Sequence, residues 1–295
     1  MIFNGILCGV GAGALWGLVF LTPELVRDFP PLHLTLGRYL CYGLISAVLL
    51  APRWRRLTAQ LGRREWFTLA GLALVGNLLY YLLLSSAVQR AGIATSSLII
   101  GLLPVTISLI GSRERNAVPL GKLALPLSLC SAGAVCIGLR AAHTPAGLGV
   151  LYAVGALIAW TWFAVHNART LARLPQLSEH DWNLLTGLVT GLCSLALLPL
   201  ADHSAHSPEA WLRLTGVAAA MALLCSIAGN ALWNRMSRML PLTLVGPMIL
   251  FETLFALVYG FLWEHRGPTR LEAAAFVFIS LGVLTCIRAH QRPRP

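Results

Sequence analysis

Two ionisable side chains, Arg38 and Glu252, lie inside long apolar stretches of the sequence. An ionisable residue at membrane depth is rare, and by default it indicates a functional site. Glu252 lies in the middle of its stretch, where a carboxyl group could take up and release a proton. Arg38 lies nearer the outer end of its stretch, so its side chain could extend outward to water or could meet a carboxylate. Glu252 is therefore our candidate for proton coupling, and both uses of Arg38 stay open.

Amide and aromatic side chains supply the other chemistry inside these stretches. Asn230 and Asn234 are four residues apart and share one helix face. Amides can bind both a carboxylate and an ammonium group, although bonds between helices are an equally ordinary use. Aromatic rings could stack on a flat or apolar part of a bound molecule or pack in the core. The candidate binding residues are Trp16, Asn77, Tyr80, Tyr81, Trp160, Trp162, Asn230 and Asn234.

The spacing of two tryptophans limits which of them can face a binding cavity. Trp160 and Trp162 are two positions apart, which on a helix separates them by about 200°. At most one of them therefore faces a cavity, and the sequence does not tell which.

Glycines and prolines indicate where helices pack closely or bend. Four glycines recur every fourth residue near the start of the chain and form one helix stripe. Such a stripe allows a neighbouring backbone to approach closely, either as fixed packing or as a surface on which helices slide. Each proline removes a backbone donor and frees a carbonyl. The candidate hinge or packing residues are Gly5, Gly9, Gly13, Gly17, Pro104, Gly246 and Pro247.

These residues must be positioned by membrane-spanning helices. Apolar residues make up 57% of the 295 positions and charged residues 11%, whereas a soluble domain carries about 25% charged residues. Ten apolar stretches have the length of a membrane span, which is about 20 residues. They run near 3–22, 32–51, 66–88, 92–112, 119–139, 147–168, 181–200, 211–234, 241–263 and 271–288. We predict an all-α membrane protein of ten transmembrane helices, with the lipid bilayer as its surroundings.

The basic residues indicate the orientation. One set of connecting segments holds fifteen Lys and Arg residues and the other holds six. The basic set should face the cytoplasm, which places both termini there. The basic residues that give the net charge of +11 lie mostly in these short connecting segments, so we expect no nucleic-acid partner.

The two halves of the chain share a pattern. Gly13-Ala14-Leu15-Trp16 in the first stretch resembles Gly155-Ala156-Leu157 and Trp160 in the sixth. Halves 1–140 and 141–295 would each supply five helices within one membrane domain. Because five is odd, the halves would be inverted repeats around one central site, which suits alternating access.

The stretch from Gly155 to Arg169, which contains Trp160-Thr161-Trp162, resembles the sixth helix of the bacterial aromatic amino-acid exporters, and the stretch ending at Asn234 resembles their eighth. Nearly the whole chain resembles the ten-helix EamA-type exporters of the drug/metabolite transporter superfamily. This resemblance implies export of aromatic and other apolar amino acids and related metabolites through the bacterial inner membrane. These families often have Glu-Pro in the ninth helix, whereas Thr253 follows Glu252 here.

Other classes of function remain as alternatives. A multidrug or other metabolite carrier would use Glu252 as the counter-charge of a cationic cargo. A membrane enzyme would need clustered His, Asp, Glu or Cys residues, which the stretches lack, so we expect no catalytic residue, metal site or cofactor. A scaffold would use the glycine stripe for assembly. No ATP-binding motif is present, and the driving force and the oligomeric state stay open.

Overall fold

The computed structural model describes residues 2–111, 120–142, 146–202, 206–239, 248 and 250–291. Every regular element in these ranges is a helix, which confirms the all-α prediction for them. The helices are α1 (Ile2–Leu25), α2 (Pro31–Leu50), α3 (Trp54–Thr58), α4 (Arg63–Gly71), α5 (Tyr80–Ile100), α6 (Leu103–Gly111), α7 (Leu120–Ala142), α8 (Gly147–Leu171), α9 (Glu179–Leu197), α10 (Pro208–Met221), α11 (Asn230–Met239), α12 (Leu250–Trp263) and α13 (Arg270–Gln291).

Two π-helical segments join α-helices end to end. The segment π1 (Leu72–Leu79) connects α4 to α5, and π2 (Ala222–Gly229) connects α10 to α11. Both are eight residues long. Because π-helical turns inside longer helices often mark functional positions, both segments draw attention to the residues around them.

The helices have the length and composition of membrane spans. Six helical runs in the described ranges are long and apolar enough to cross a bilayer. These runs are Phe3–Leu25, Pro31–Thr58, Arg63–Ile100, Gly147–Leu171, Glu179–Leu200 and Pro208–Met236. Two shorter apolar helices cover Gly121–Ile137 and Leu250–Trp263. A membrane-protein fold accounts for these lengths.

Local sequence determines several helix starts. Ser178 caps α9 by accepting a hydrogen bond from the Asp181 amide at 3.0 Å. Ser207 caps α10 in the same way, and Pro208 follows at the first helical position, where a missing N–H costs nothing.

The break predicted near residue 92 is present. Gly92 has φ of 81° and ψ of 168°, a backbone conformation that favours glycine. Pro104 lies in the first turn of α6, just after a turn at 101–102. Its missing N–H therefore interrupts no helix there. Gly246 and Pro247 lie outside the described residues.

The chain turns back after Gly92. A Cβ built on Gly149 of α8 would lie 2.7 Å from the Ala91 side chain, and Phe163, four turns later, packs on Gly76. The hydroxyl of Thr161, near Phe163, lies 2.9 Å from that of Thr106. Residues on both sides of the break therefore reach the same end of α8.

Residues of α11 and the residues that precede α12 also pack against α1. Gly229 packs against the ring of Trp16, while a Cβ on Gly9 would meet both Met236 and Met248. Residues before and after the segment 240–247 thus reach the same end of α1. The helices α1 and α12 pack on each other, as do α8 and α5.

Candidate functional site

Arg38 of α2 is a buried cation near the centre of the helical packing. Only 8% of the residue is exposed. Its guanidinium carbon lies 4.4 Å from the ring centroid of Tyr81 and 5.1 Å from that of Tyr39. Such cation–π contacts hold the face of the guanidinium group but give its N–H groups no acceptor.

The edge of the Arg38 guanidinium is poorly satisfied. Nη2 donates a long bond of 3.4 Å to the Ser226 hydroxyl. Nε and Nη1 are buried without a hydrogen-bond partner among the residues that the structure describes. From the sequence, the Arg38 side chain could extend outward to water or pair with a carboxylate. In the described part of the chain the side chain is buried and forms no ion pair.

The π2 segment receives side chains from three other parts of the fold. The Trp16 indole donates to the Cys225 carbonyl at 3.1 Å, and its ring centroid lies 5.1 Å from that of Trp233. The Ser226 carbonyl accepts from Asn230 at 2.9 Å and from Asn183 at 3.3 Å. The segment therefore joins α1, α9 and α11 beside Arg38.

A second aromatic contact joins α8 to the start of α5. Trp160 of α8 lies 4.8 Å from the Tyr80 ring at the start of α5 and stacks on Phe163 at 4.7 Å. Trp162 turns away, stacking on His166 at 4.1 Å. The two tryptophans occupy different faces, as their spacing predicts, and Trp160 is the one that joins the tyrosines.

Tyr81 anchors the region under Arg38. Its residue is fully buried, and its hydroxyl lies 2.9 Å from the Thr22 hydroxyl. The same oxygen lies 3.1 Å from the Met221 sulfur. These contacts fix the ring on which the guanidinium rests.

The predicted amides have separate partners. Asn77 donates to the Thr190 hydroxyl at 2.8 Å, and Asn230 donates to the side-chain amide oxygen Oδ1 of Asn183 at 3.0 Å. Asn234 is half-buried one turn after Asn230. Both bonded amides thus connect helices, and sequence alone gave no signal for Thr190 or Asn183 as partners.

The predicted glycine stripe packs α1 on α12. A Cβ on Gly13 would lie 3.0 Å from the Glu252 amide nitrogen, and one on Gly17 would lie 2.9 Å from the Ala256 amide nitrogen. Gly5 is also buried, and Gly9 faces Met248. The stripe therefore brings two backbones into contact.

Glu252 lies in the first described turn of α12 and is half-buried. Glu252 and Arg38 both lie close enough to Tyr80 and Cys225 to interact with them electrostatically. The two intramembrane charges are therefore near the same aromatic region without forming a salt bridge in the described residues.

A second buried charge is fully satisfied by contrast. Glu272 is 2% exposed and accepts bonds from both terminal nitrogens of Arg266 at 2.8 Å and from the Thr269 amide at 2.7 Å. These bonds raise the pKa of Arg266 above its usual range.

At the opposite end of the bundle, a cleft of about 560 Å³ is lined by Arg64, Thr68, His166, Arg169, Thr170, Ala172 and Arg173.

Known proteins resemble this chain over almost its whole length. A sequence model of the EamA-like transporter family matches residues 3–138 and 147–288. The inner membrane protein YtfF of Escherichia coli (strain K12) is 34% identical over 311 residues, covering 98% of this chain and 96% of that protein. The uncharacterized transporter PA0485 of Pseudomonas aeruginosa is 27% identical over 295 residues, covering 95% and 92%.

A protein of known crystal structure has the same fold. It superposes with a TM-score of 0.63 at 19% identity, covering 99% of this chain and 100% of that one. Transporters of the matched family are generally not enzymes, in agreement with the sequence prediction. The predicted resemblance is confirmed: the chain belongs to the EamA-like transporter family of the drug/metabolite transporter superfamily.

Proposed function

We propose that the protein exports aromatic and other apolar amino acids, with related metabolites, by alternating access as a secondary transporter. The observation that carries this proposal is the convergence of Arg38, Tyr81 and Trp16 on one π-helical segment, with Tyr80 and Trp160 nearby. Aromatic rings suit an apolar side chain, and the polar groups suit the charged end of an amino acid. The resemblance of the sixth and eighth helices to aromatic amino-acid exporters supports the same cargo.

The proposed architecture is ten spans in two inverted five-helix repeats, residues 1–140 and 141–295. The family match in two parts supports it, as do the corresponding positions of π1 and π2. The run Arg63–Ile100 would measure about 57 Å as one helix, nearly twice the hydrocarbon thickness. Dividing this run at Gly92 gives two spans.

The proposed location is the bacterial inner membrane with both termini in the cytoplasm. YtfF carries that location in its name. The Arg53–Asp181 ion pair, at 2.6 Å, lies at the arginine-rich end of the bundle. The Arg213–Asp28 pair, also at 2.6 Å, lies at the other end. The positive-inside rule then places the arginine-rich end in the cytoplasm.

The candidate residues divide by role in this proposal. The rings of Trp16, Tyr80 and Trp160 contact the cargo, whereas Asn77 and Asn230 hold neighbouring helices in register. Asn234 completes the proposed site in other conformations, whereas Trp162 stacks on His166 and stabilises α8. The glycine stripe from Gly5 to Gly17 is the surface on which α1 and α12 move, and Pro104, Gly246 and Pro247 accompany that movement.

Glu252 is the proposed coupling residue. A carboxyl group at membrane depth can exchange a proton with one side and later with the other. A proton gradient would then drive export, since no nucleotide-binding motif is present.

Counterflow in liposomes tests the transport function. Purified protein is reconstituted into vesicles loaded with unlabelled phenylalanine, and uptake of labelled phenylalanine is measured. We expect uptake above that of protein-free vesicles. No counterflow for phenylalanine, leucine or other apolar amino acids would refute the proposed cargo.

A second candidate function is multidrug efflux. The half-buried carboxylate of Glu252 is the specific observation that favours it, because a cationic drug needs a counter-charge. Counterflow of a labelled lipophilic cation, together with none of amino acids, would select this alternative.

A further inference from the structure

The unsatisfied edge of Arg38 is the feature of the described structure that most needs a chemical explanation. Buried polar groups nearly always have partners, and an unpaired charge in an apolar environment is costly. Arg38 is more than nine-tenths buried, yet Nε and Nη1 have no acceptor in the described part of the chain. The same chain gives buried Glu272 several donors, so a buried charge in this fold can be fully satisfied by the protein.

The chemistry of arginine determines what the missing partner must be. A guanidinium group has five N–H donors and no acceptor, so only an acceptor can satisfy it. Its planar shape and full charge suit a carboxylate better than a neutral carbonyl. The partner must therefore be an anion or at least carry an anionic group.

The described surroundings of Arg38 occupy the faces of its guanidinium group but give one edge no acceptor. The rings of Tyr81 and Tyr39 lie 4.4 and 5.1 Å from the guanidinium carbon and contribute cation–π contacts. The Ser226 hydroxyl accepts a hydrogen bond from Nη2 alone, at 3.4 Å. Each ion pair found among the described residues uses an arginine other than Arg38, so no described carboxylate, Glu252 included, forms an ion pair with it.

We propose that Arg38 binds the carboxylate of the transported molecule, so that the cargo is a carboxylate-bearing compound such as an amino acid. This inference rests on the proposed transport function and makes it more specific. Cargo binding then completes the hydrogen bonding of a group that is unsatisfied in its absence. The nearby rings of Tyr80 and Trp160 would contact the apolar part of the same molecule.

A matched pair of probes tests the inference. Protein in detergent is titrated with 3-phenylpropanoate and with its neutral isostere 3-phenylpropanamide, and binding is followed by thermal stabilisation. We expect the wild-type protein to bind the acid at least about tenfold more tightly than the amide, as loss of one charge-assisted hydrogen bond implies. Arg38→Gln should abolish this preference, and Arg38→Lys should retain part of it.

The control replaces a different arginine. Arg213→Gln removes an exposed cation that pairs with Asp28 at one end of the bundle, and it should keep the full preference for the acid. A folding defect would weaken the binding of both probes, so the ratio of the two affinities isolates the contribution of the charge. Equal binding of acid and amide by the wild-type protein overturns the inference without any variant, and an undiminished preference in Arg38→Gln also overturns it.

Counterflow separates this inference from the proposed function. The protein could show phenylalanine counterflow and still prefer the acid when Arg38 is replaced. That result would overturn the inference and leave the proposed function standing. The protein could instead lose its preference for the acid when Arg38 is replaced but show no amino-acid counterflow. That result would support the inference and refute the proposed cargo.

Discussion

Gly43 of α2 and Gly191 of α9 face each other so closely that a Cβ on Gly43 would lie 2.6 Å from the Gly191 Cα atom. Each half contributes one of these helices. Because the contacting atoms belong to two backbones, neither can yield by a change of side-chain rotamer. The contact therefore fixes the distance between α2, the helix that carries Arg38, and α9.

Replacing either glycine of this contact should destabilise the protein. We expect Gly191→Ala to cost about 1–3 kcal/mol through overpacking. Thermal unfolding in detergent measures the change. The control is Gly216→Ala on α10, where a Cβ would meet nothing within 4 Å. Equal melting temperatures for the two variants would contradict the packing argument.

The stripe on α1 should show a graded response to alanine. A Cβ at Gly17 meets the Ala256 backbone at 2.9 Å, whereas one at Gly9 meets the end of the Met248 side chain at 2.8 Å. Because Met248 can change rotamer, we expect Gly9→Ala to be tolerated and Gly17→Ala to slow counterflow several-fold, as overpacking between two backbones implies. Counterflow rates and melting temperatures are measured for both variants. A normal melting temperature with slow counterflow favours a sliding surface, and a parallel loss of both favours fixed packing.

The two tryptophans of α8 should contribute differently to transport. We expect Trp160→Ala to reduce phenylalanine counterflow at least about tenfold, because its ring adjoins Tyr80. Trp162→Ala should mainly lower the melting temperature, since its ring stacks on His166 and packs in a separate core cluster. Equal loss of counterflow in both variants, with equal melting temperatures, would argue against this assignment.

Glu252→Gln should separate transport from the proton gradient. The amide keeps the shape of the side chain but cannot take up a proton, so export driven by a pH gradient should fall while counterflow without a gradient persists. Both are measured in the same vesicles. Transport by the variant that still responds fully to the gradient would exclude proton coupling through this residue.

The sequence predicted the helices well because long apolar stretches leave few alternatives in a membrane. The break at Gly92 was also predictable, since a glycine there joins two such stretches through a very short link. The opposed faces of Trp160 and Trp162 followed directly from helical geometry.

The partners across helices were not predictable from the sequence. Nothing local tells that Asn77 meets Thr190 or that Arg38 meets Ser226, since these pairs are more than 100 positions apart. Arg38 was noticed as a charge but not placed in the binding site, because its depth and its neighbours depend on how α2 packs. The π-helical segments contain no proline, so no residue type indicated them.

The two π-helical segments change which side chains face inward. A π-helical turn holds an additional residue, and each residue rotates a helix by about 100°. Tyr80 and Asn230, which follow the two segments directly, are therefore presented on a different side from the one an uninterrupted α-helix would give them. Deleting a single residue from either segment would restore regular winding and swing the following side chains away from their present neighbours.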